Sequence, residues 1–418
     1  MKPYLASLLL FMSLSGMQAA QPYQTGSHNA QIKTLLVHPV NDWKASPIIH
    51  LGSDNQLLIS FDELSHDYKR YAYRLIHCNK DWKPSDLALM EYMDGFSEND
   101  LDTYEPSIST NTLYTHYSLC LPNDDVKLTV SGNYACQVFD KDNPDEVLLT
   151  ACFMVVDTKV SIKNEVTAST DIDTEDRHQQ LRYEITPRGW QFRDPLSEIH
   201  LTIRQNRRMD NQVYGLQPQE VNPTKLIYEH NRALIFPGGN EYRRFETTTF
   251  KRSGLGVNRV AFERPFYNVE LFECEPRTGG YTYDQDQNGR FLIHTIDNEP
   301  DETTADYFLV HFAYPTSTPS LDEGLYLQGD LVENRLDESS KLRYNFERKA
   351  YEKTLLLKQG SYNYQLLFKP SGSKQARSFK TEGSYWQTEN EYQVYVYYRP
   401  LGGRYDQLIG YNELKTAF

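Results

Sequence analysis

Apolar and polar side chains alternate along much of this chain, with the period of two residues that is typical of a β-strand. The clearest example is residues 71–78, which place Tyr71, Tyr73, Leu75 and His77 on one face and Ala72, Arg74, Ile76 and Cys78 on the other. Because both faces carry apolar side chains, the pattern predicts a central strand. Pro84 has no backbone N–H to donate, so we expect the strand to end before residues 79–85.

A segment without a clear period follows this strand, and residues 114–121 then resume the alternation. Loops of this length are usually functional or pack on themselves. Four large aromatic side chains stand out here: Trp82, Tyr92, Phe96 and Tyr104. Packing over the first core is the favoured interpretation, since large aromatics commonly anchor cores. The alternative is a partner-binding surface, because aromatics dominate interface hot spots.

Similar patterns recur along the chain and predict an all-β protein. The predicted strands cover 32–37, 48–61, 71–78, 114–121, 126–130, 133–139 and 147–156, then 181–185, 199–205, 225–228, 233–236, 243–249 and 267–273, and finally 307–314, 324–327, 342–346, 351–358, 362–368 and 391–398. A polar, acidic stretch at 159–182 is interpreted as a solvated boundary. We predict tandem immunoglobulin-like β-sandwich domains over 21–158, 159–300 and 301–418.

Residues 1–20 have the features of a signal peptide. Lys2 supplies a positive charge, residues 5–14 form an apolar core, and Ala19 and Ala20 offer cleavage sites. The apolar core is too short to be a permanent anchor, and no later stretch has the roughly 20 apolar residues of a transmembrane helix. We therefore expect an exported protein that is not embedded in a membrane.

Charge and cysteine content narrow the class of protein further. The 418 residues include 43 Lys and Arg against 57 Asp and Glu, which gives a formal net charge of -14. This charge repels phosphate backbones and argues against nucleic acid as a partner. Five cysteines are an odd number for an exported chain. We expect Cys120, Cys136 and Cys152 to be buried thiols, with a disulfide between two of them as the alternative.

Residues 283–289 match the start of an EF-hand calcium loop, in which alternating oxygen ligands surround the ion. The twelfth position of such a loop is a bidentate Glu, and here it is Thr295. The flanking segments also look like strands and not helices. We therefore interpret Asn288 and Gly289 as a type I′ hairpin turn, with a weak calcium site as the alternative.

His77, Cys78 and Asp81 include the residue types of a thiol nucleophile, its base and an orienting carboxylate. Adjacent strand residues point to opposite faces, so we expect His77 and Cys78 to have packing and hydrogen-bonding roles. No glycine-rich loop has the Walker spacing with its Lys and Ser or Thr. The sequence thus predicts no catalytic, cofactor-binding or metal-binding residue.

Residues 71–134 carry many matches, in order, to one protein family. They are Tyr73, His77-Cys78, Asp81-Trp82, Pro84-Ser85, Glu91-Tyr92, Gly95-Phe96, Tyr104-Glu105-Pro106-Ser107, Asn111-Thr112, Tyr114-Thr115-His116-Tyr117, Leu121-Pro122-Asn123 and Ser131-Gly132-Asn133-Tyr134. This block resembles the N-terminal region of the Bacteroidetes plug proteins, which close the periplasmic side of the outer-membrane barrel of the type IX secretion system. Residues 383–410 resemble the ending of the same family.

The resemblance implies a non-catalytic protein that acts by docking in the periplasm, at the inner side of the outer membrane. Its expected partner is the large outer-membrane β-barrel translocon, whose empty channel it would block. Residues 21–158 would then form the plug-family N-terminal domain. On this hypothesis, Trp82, Tyr92, Phe96 and Tyr104 are the candidate partner-binding residues.

Two alternatives come from other functional classes. Residues 325–330 and 357–364 resemble early-set immunoglobulin-like modules that bind starch and glycogen, so the third domain is expected to be early-set-like. Such modules follow the Gly-Asp pair with an aromatic sugar platform, whereas residues 331–333 here are Leu-Val-Glu. A glycan-binding function would then use exposed aromatics such as Tyr385 and Trp386. The second alternative is a hydrolase with a carboxylate pair that sequence alone does not identify.

Overall fold

The computed structural model describes residues 21–416, so the predicted signal peptide at 1–20 lies outside the described residues. The described chain is built of strands with a few short helical turns, which confirms the predicted all-β class. Its first part contains β1 (Gly26–Ser27), β2 (Ile32–Pro39), β3 (Ile48–His50), β4 (Leu57–Glu63), β5 (Tyr71–Cys78), α1 (Leu89–Tyr92), β6 (Met93–Gly95), β7 (Asn99–Leu101), β8 (Tyr104–Pro106), β9 (Thr115–Leu121), β10 (Val126–Leu128), β11 (Gly132–Asp140) and β12 (Asn143–Val156).

The remaining elements fall into three further stretches of chain. The first contains β13 (Val160–Thr167), β14 (His178–Pro187), α2 (Pro195–Glu198), β15 (Ile199–Gln205), β16 (Val213–Tyr214), β17 (Glu220–Asn222), β18 (Lys225–Tyr228) and β19 (Ile235–Pro237). The second contains β20 (Arg243–Glu246), β21 (Val257–Glu263), β22 (Phe266–Leu271), β23 (Phe291–Ile293), α3 (Asp301–Thr304), β24 (Tyr307–Pro315), β25 (Glu323–Gln328), β26 (Arg343–Asn345), β27 (Ala350–Lys358) and β28 (Gly360–Pro370). The third contains β29 (Glu391–Tyr398) and β30 (Gln407–Lys415). Single 3₁₀ turns form at Arg232–Leu234 and Asp330–Val332.

The first sandwich packs the sheet β1-β12-β11-β5-β7, with β3 beside β12, against the sheet β2-β4-β9-β8. β5 has the predicted bounds and pairs with β11 on one side and β7 on the other, which confirms a central strand. On β9, alternate side chains from Thr115 to Leu121 are buried, so the apolar alternation faces the core. Inside that core the rings of Phe61 and Tyr117 stack with their centres 5.3 Å apart.

The second sandwich is assembled from two distant parts of the chain. One sheet is β13-β14-β18-β17, with β19 beside β14. The opposite sheet is β16-β15-β29-β30 and therefore includes the last two strands. β15 and β29 pair antiparallel along their lengths, and Tyr183 and Val394 from the two sheets belong to one core.

The third sandwich is inserted between β19 and β29. It packs β20-β28-β23, with β25 beside β28, against β21-β22-β24-β27-β26. Aromatic rings fill the space between these sheets: Phe245 and Tyr364 meet Phe312 with ring centres 5.7 Å and 5.2 Å away. No helix among residues 21–416 is long and apolar enough to cross a membrane.

The strand pairing differs from the predicted division of the chain at residue 300. Strands β20 to β23 lie within the predicted middle domain at 159–300 but pair within the third sandwich. Strands β29 and β30 lie within the predicted domain at 301–418 but complete the second sandwich. The physical reason is that a strand's partner is chosen by long-range packing of its buried face, which local periodicity does not encode.

Candidate functional site

Trp82 lies in the tight turn that follows β5. Its own φ of 61° closes the turn, in which Trp82 N–H donates to the carbonyl oxygen of Asn79 at 2.9 Å. The indole enters a buried cluster between the first and second sandwiches, together with Met154 of the first and Tyr397 of the second. With only 5% of its surface exposed, Trp82 joins the two sandwiches from within.

Tyr92 closes helix α1 and packs into the core of the first sandwich. Its hydroxyl donates a hydrogen bond of 3.0 Å to the carbonyl oxygen of Leu75. Its ring meets the ring of Tyr134 edge to face, with the centres 6.2 Å apart. Tyr92 is thus a buried anchor that ties the irregular segment to the central strand.

Phe96 and Tyr104 lie at the surface of the first sandwich. Phe96 follows the short strand β6 and is 77% exposed, whereas Tyr104 opens β8 and is 40% exposed. The ring of Tyr104 stacks on that of Tyr68, with the centres 4.4 Å apart. Because the stacked pair is held in place and faces solvent, it offers a preformed aromatic contact.

The structure therefore does not bring the four predicted aromatics onto one surface. The buried positions of Trp82 and Tyr92 give them packing roles, and only Phe96 and Tyr104 present large exposed areas. Partner binding by these residues stays a prediction, and it now concerns mainly the two exposed rings.

A buried ion pair joins the first sandwich to the third. Lys358 at the end of β27 donates 2.6 Å hydrogen bonds to the Asp62 carboxylate on β4 and to the carbonyl oxygen of Glu302. Asp62 also accepts from Tyr307 at 2.6 Å and lies 2.7 Å from His116 Nδ1. Desolvation acts to raise the pKa of Asp62, but Lys358 and His116 outweigh it and hold this pKa below its ordinary value.

A second contact between the same two sandwiches is a carboxylate clamp. Asp306, which precedes β24, accepts hydrogen bonds of 2.8 Å and 3.0 Å from the backbone N–H groups of Asn111 and Thr112. The Asn111 side chain donates a further bond of 2.8 Å to the same carboxylate. Next to it, Tyr114 donates to the carbonyl oxygen of Ala305 at 2.9 Å.

The second sandwich is held to both others by buried polar contacts. Against the first sandwich, Tyr397 on β29 donates to the Asn133 side chain at 2.9 Å. Against the third, the buried Arg290 and Glu391 side chains form an ion pair of 2.7 Å. Each sandwich thus contacts the other two, and the charged side chains of these four contacts are paired, as their burial requires.

His77 and Cys78 do not form a catalytic pair. His77 Nδ1 lies 2.8 Å from Ser85 Oγ, and burial lowers the pKa of this imidazole to about 4. Cys78 faces the joint with the second sandwich, and burial raises the pKa of its thiol to about 12. A neutral thiol and a neutral imidazole in these positions supply no nucleophile at neutral pH.

The calcium-like segment has its carboxylates engaged in protein contacts. Asp284 pairs with Arg244, and Asp286 accepts from the backbone N–H of Asn288 at 2.8 Å. Asn288 and Gly289 both have positive φ, 50° and 86°, as the two central residues of a type I′ turn require. The stretch before this turn is irregular and not the predicted strand. Across residues 21–416, no group of three or more His, Cys, Asp or Glu is arranged to hold a metal ion.

All five cysteines lie in the described part of the chain and are free. Cys136 and Cys152 are buried, as expected from the strand pattern, and burial raises the pKa of both thiols. Cys120 is partly exposed. The disulfide alternative is therefore not realised.

The segment that resembles a glycan-binding module lies in a joint between sandwiches. Asp330 pairs with Arg207 of the second sandwich at 2.8 Å, and Glu333 accepts from the backbone N–H of Ser27 at 3.0 Å. Tyr385, the proposed sugar platform, donates through its hydroxyl to the carbonyl oxygen of Arg277 at 3.1 Å. Tyr385 and Trp386 are both half-buried and not exposed as the glycan alternative expects, so the structure does not favour that alternative.

Residues 32–157 match the family model described as type 9 secretion system plug protein 1st domain. This chain therefore carries the first domain of the type IX secretion system plug proteins. The match runs from β2 past the end of β12 and so coincides with most of the first sandwich.

One solved structure resembles nearly the whole of this chain. A crystal structure of a hypothetical protein from Parabacteroides merdae ATCC 43184 is 46% identical, and the match covers 95% of this chain and 100% of that chain with a TM-score of 0.93. Trypsin-activated alpha-2-macroglobulin from Escherichia coli matches at 9% identity over 94% of this chain and 29% of that chain. Its TM-score of 0.19 supports no conclusion about this fold. No curated protein matches significantly.

Several residues that carry the plug-family resemblance lie at the joints between sandwiches. Asn111 and Tyr114 contact the loop before β24, and Asn133 contacts β29. Sequence reasoning missed this role, and it also missed Asp62 and Lys358. A charged residue inside an apolar strand was the available signal, since such a residue is buried only when it is paired.

Proposed function

We propose that this protein is a non-catalytic periplasmic plug that docks on the outer-membrane translocon of the type IX secretion system and closes its empty channel. Family membership supports the secretion-system role. The structural observation that carries the proposal is the joining of three sandwiches, each to the other two, through buried polar contacts. A protein that must block the passage of molecules through a pore benefits from the rigidity that these contacts provide.

The joints favour a single rigid body over flexible domains. Interfaces between domains of one chain are commonly small and polar, and such domains move relative to one another. Here the joint between the first and third sandwiches contains a fully buried ion pair, Asp62 with Lys358. A shift of one sandwich against the other that parted Asp62 from Lys358 while both stayed buried would leave two unpaired charges, so sliding at this joint is costly.

Release from the channel would follow from a difference in affinity between channel states. A plug that binds the empty channel more tightly than the cargo-loaded one leaves when cargo enters, with no chemistry of its own. The net charge of -14 fits a complementary basic rim. Association would then weaken as salt increases.

The exposed aromatics of the first sandwich are the proposed contact residues. Phe96 is the more exposed, and Tyr104 is presented as a stacked pair with Tyr68. Aromatic side chains supply large contact area at low conformational entropy cost, which is why they dominate interface hot spots.

The test is affinity capture of the tagged, full-length protein from outer-membrane extracts of its own organism, with identification of the bound proteins by mass spectrometry. We expect recovery of one very large outer-membrane barrel protein. The double variant Phe96→Ser/Tyr104→Ser should recover at least tenfold less barrel, as expected for loss of two hot spots.

The matched control is Tyr214→Ser, which removes an equally large ring that is 73% exposed on the second sandwich. It should capture the barrel as well as the unmodified protein does. Repeated absence of a large barrel from the captured proteins would refute docking. Equal capture by all variants would leave docking intact and refute only the proposed contact residues.

A further inference from the structure

A cavity of about 150 Å³ lies where the three sandwiches meet. Cys152 and Met154 line it from the first sandwich, Arg204 and Tyr395 from the second, and Asp330 from the third. The chain segment that leads into β1 also contributes to its wall. A cavity of this volume accommodates a group about the size of one aromatic ring.

Trp82 also lines this cavity, and its indole Nε1 is buried without an acceptor in the described part of the chain. The side chain as a whole is 5% exposed, and the N–H itself has almost no accessible surface. A buried donor without a partner costs about 1–3 kcal/mol, which makes such groups rare in folded proteins. The cavity is the space in which an acceptor could stand.

Two arginines add positive charge at the same place. Arg204 is 8% exposed and, within residues 21–416, forms no ion pair with a carboxylate. Its Nε donates to Gln212 at 3.1 Å, and its guanidinium carbon lies 5.1 Å from the centre of the Tyr395 ring. Arg207 has a buried Nε that likewise has no acceptor among the described residues.

The carboxylates around the cavity already have partners. Asp330 pairs with the Nη2 of Arg207 at 2.8 Å, and Glu333 accepts the backbone N–H of Ser27. The buried groups left unsatisfied here, Trp82 Nε1 and Arg207 Nε, are therefore both donors. A buried cation without a counterion and two unused N–H donors all select for an anion.

The remaining walls are apolar. Val37, Met154 and Met209 line the cavity together with the aromatic face of Tyr395. An inorganic anion would use only the polar side, whereas an organic anion would also bury its hydrocarbon part against these side chains. Methionine suits this role, because its flexible thioether adapts to differently shaped ligands.

We propose that this cavity is a binding site for a small organic carboxylate. The carboxylate accepts hydrogen bonds from Trp82 Nε1 and Arg207 Nε and compensates the charge of Arg204, while its apolar part packs against Met154 and Met209. Because the ligand touches all three sandwiches, its binding would further lock their relative positions. The site is independent of the docking surface on Phe96 and Tyr104.

The test uses 4-fluorobenzoate as the probe and 4-fluorobenzyl alcohol as its uncharged counterpart. Binding to the full mature chain is followed by fluorine NMR of the probe and by calorimetry. A ligand of this size is expected to bind in about the millimolar range, so titration extends to about 20 mM. The carboxylate should bind and the alcohol should not.

Trp82→Phe keeps the ring in its cluster and removes only the donor, and it should weaken binding of the probe about tenfold. Arg207→Lys keeps the positive charge and removes the Nε donor, so it should also weaken binding of the probe about tenfold. This second variant keeps the proposal testable if Trp82→Phe folds poorly. The matched control is Trp190→Phe, since Trp190 donates to Lys159 within the second sandwich and does not line the cavity. Absent binding by the unmodified protein, equal binding of the alcohol, or unchanged binding by both variants would overturn the proposal.

Discussion

Replacing Lys358 with Met tests whether the joint between the first and third sandwiches depends on its buried ion pair. The Lys358 Nζ lies 2.6 Å from the Asp62 carboxylate and 4.1 Å from the centre of the Tyr114 ring. Methionine fills a similar volume but leaves Asp62 buried with only His116 and Tyr307 as partners. The variant therefore keeps the shape of the joint and removes its positive charge.

Breaking a fully buried pair by removing one partner costs about 3–5 kcal/mol. The entropy of unfolding is about 2.1 cal/mol/K per residue, which gives about 0.8 kcal/mol/K for a body of about 400 residues. If the three sandwiches unfold together, Lys358→Met should lower the Tm by about 4–6 °C. Without Lys358, the desolvation that acts to raise the pKa of Asp62 is no longer outweighed to the same extent, so the carboxylate of the variant is protonated more readily at low pH. The loss should therefore be larger at pH 7 than at pH 4.

The assay is calorimetry of the unmodified protein and three variants at both pH values. Asp62→Asn/Lys358→Met should be less destabilised than Lys358→Met, because it neutralises the carboxylate that has lost its partner. The matched control is Lys141→Met, which breaks an exposed pair with Asp100 and should change the Tm by less than about 1 °C. A Lys358→Met variant with the Tm of the control, or a double variant less stable than the single one, would refute the reasoning.

Three further predictions concern single side chains. Burial raises the pKa of Glu241 to about 7, above its ordinary value, so ionisation of this carboxyl opposes folding at high pH. Glu241→Gln should therefore raise the free energy of unfolding, measured by urea denaturation, by up to about 3 kcal/mol at pH 8 and by almost nothing at pH 4. An effect that is equal at both pH values would contradict this. Gly132 has a φ of 146°, and a Cβ there would lie 2.3 Å from His77 Nε2. Gly132→Ala should therefore cost about 3 kcal/mol, against about 1 kcal/mol for Gly52→Ala, where φ is positive but no atom is near. Finally, a thiol reagent such as dithionitrobenzoate should modify at most Cys120 in the native protein and all five cysteines after denaturation. Rapid reaction of a second thiol in the native protein would contradict this prediction, because it would show that a buried cysteine is accessible.

Local pattern was sufficient for individual strands. The alternation at 71–78 predicted β5 with its observed bounds, and that at 391–398 predicted β29 in the same way. Both strands are buried on both faces, one in the core of a sandwich and the other in the cluster between the first and second sandwiches, so nearly every position carries an apolar signal. The assignment of β29 to a sandwich was not available, since its partner β15 lies almost 200 residues earlier in the chain.

The candidate site was only partly predictable for a similar reason. The sequence identified the irregular segment with Phe96 and Tyr104, but it could not separate these exposed rings from the buried Trp82. Burial of Trp82 depends on a surface of the second sandwich that completes the cluster around it. Likewise, Asp62 and Lys358 are 296 positions apart, and nothing near either residue signals the other.

The insertion of the third sandwich into the second has a consequence for how the molecule matures. The sheet containing β15 cannot gain its partner β29 until residues 391–398 have been delivered, almost 200 residues after β15 itself. Until then, the apolar faces of two half-built sheets stay uncovered, and closure of so large a loop is slow. A nascent chain released before residue 391 would thus be prone to aggregation and degradation, because its second sandwich could not close.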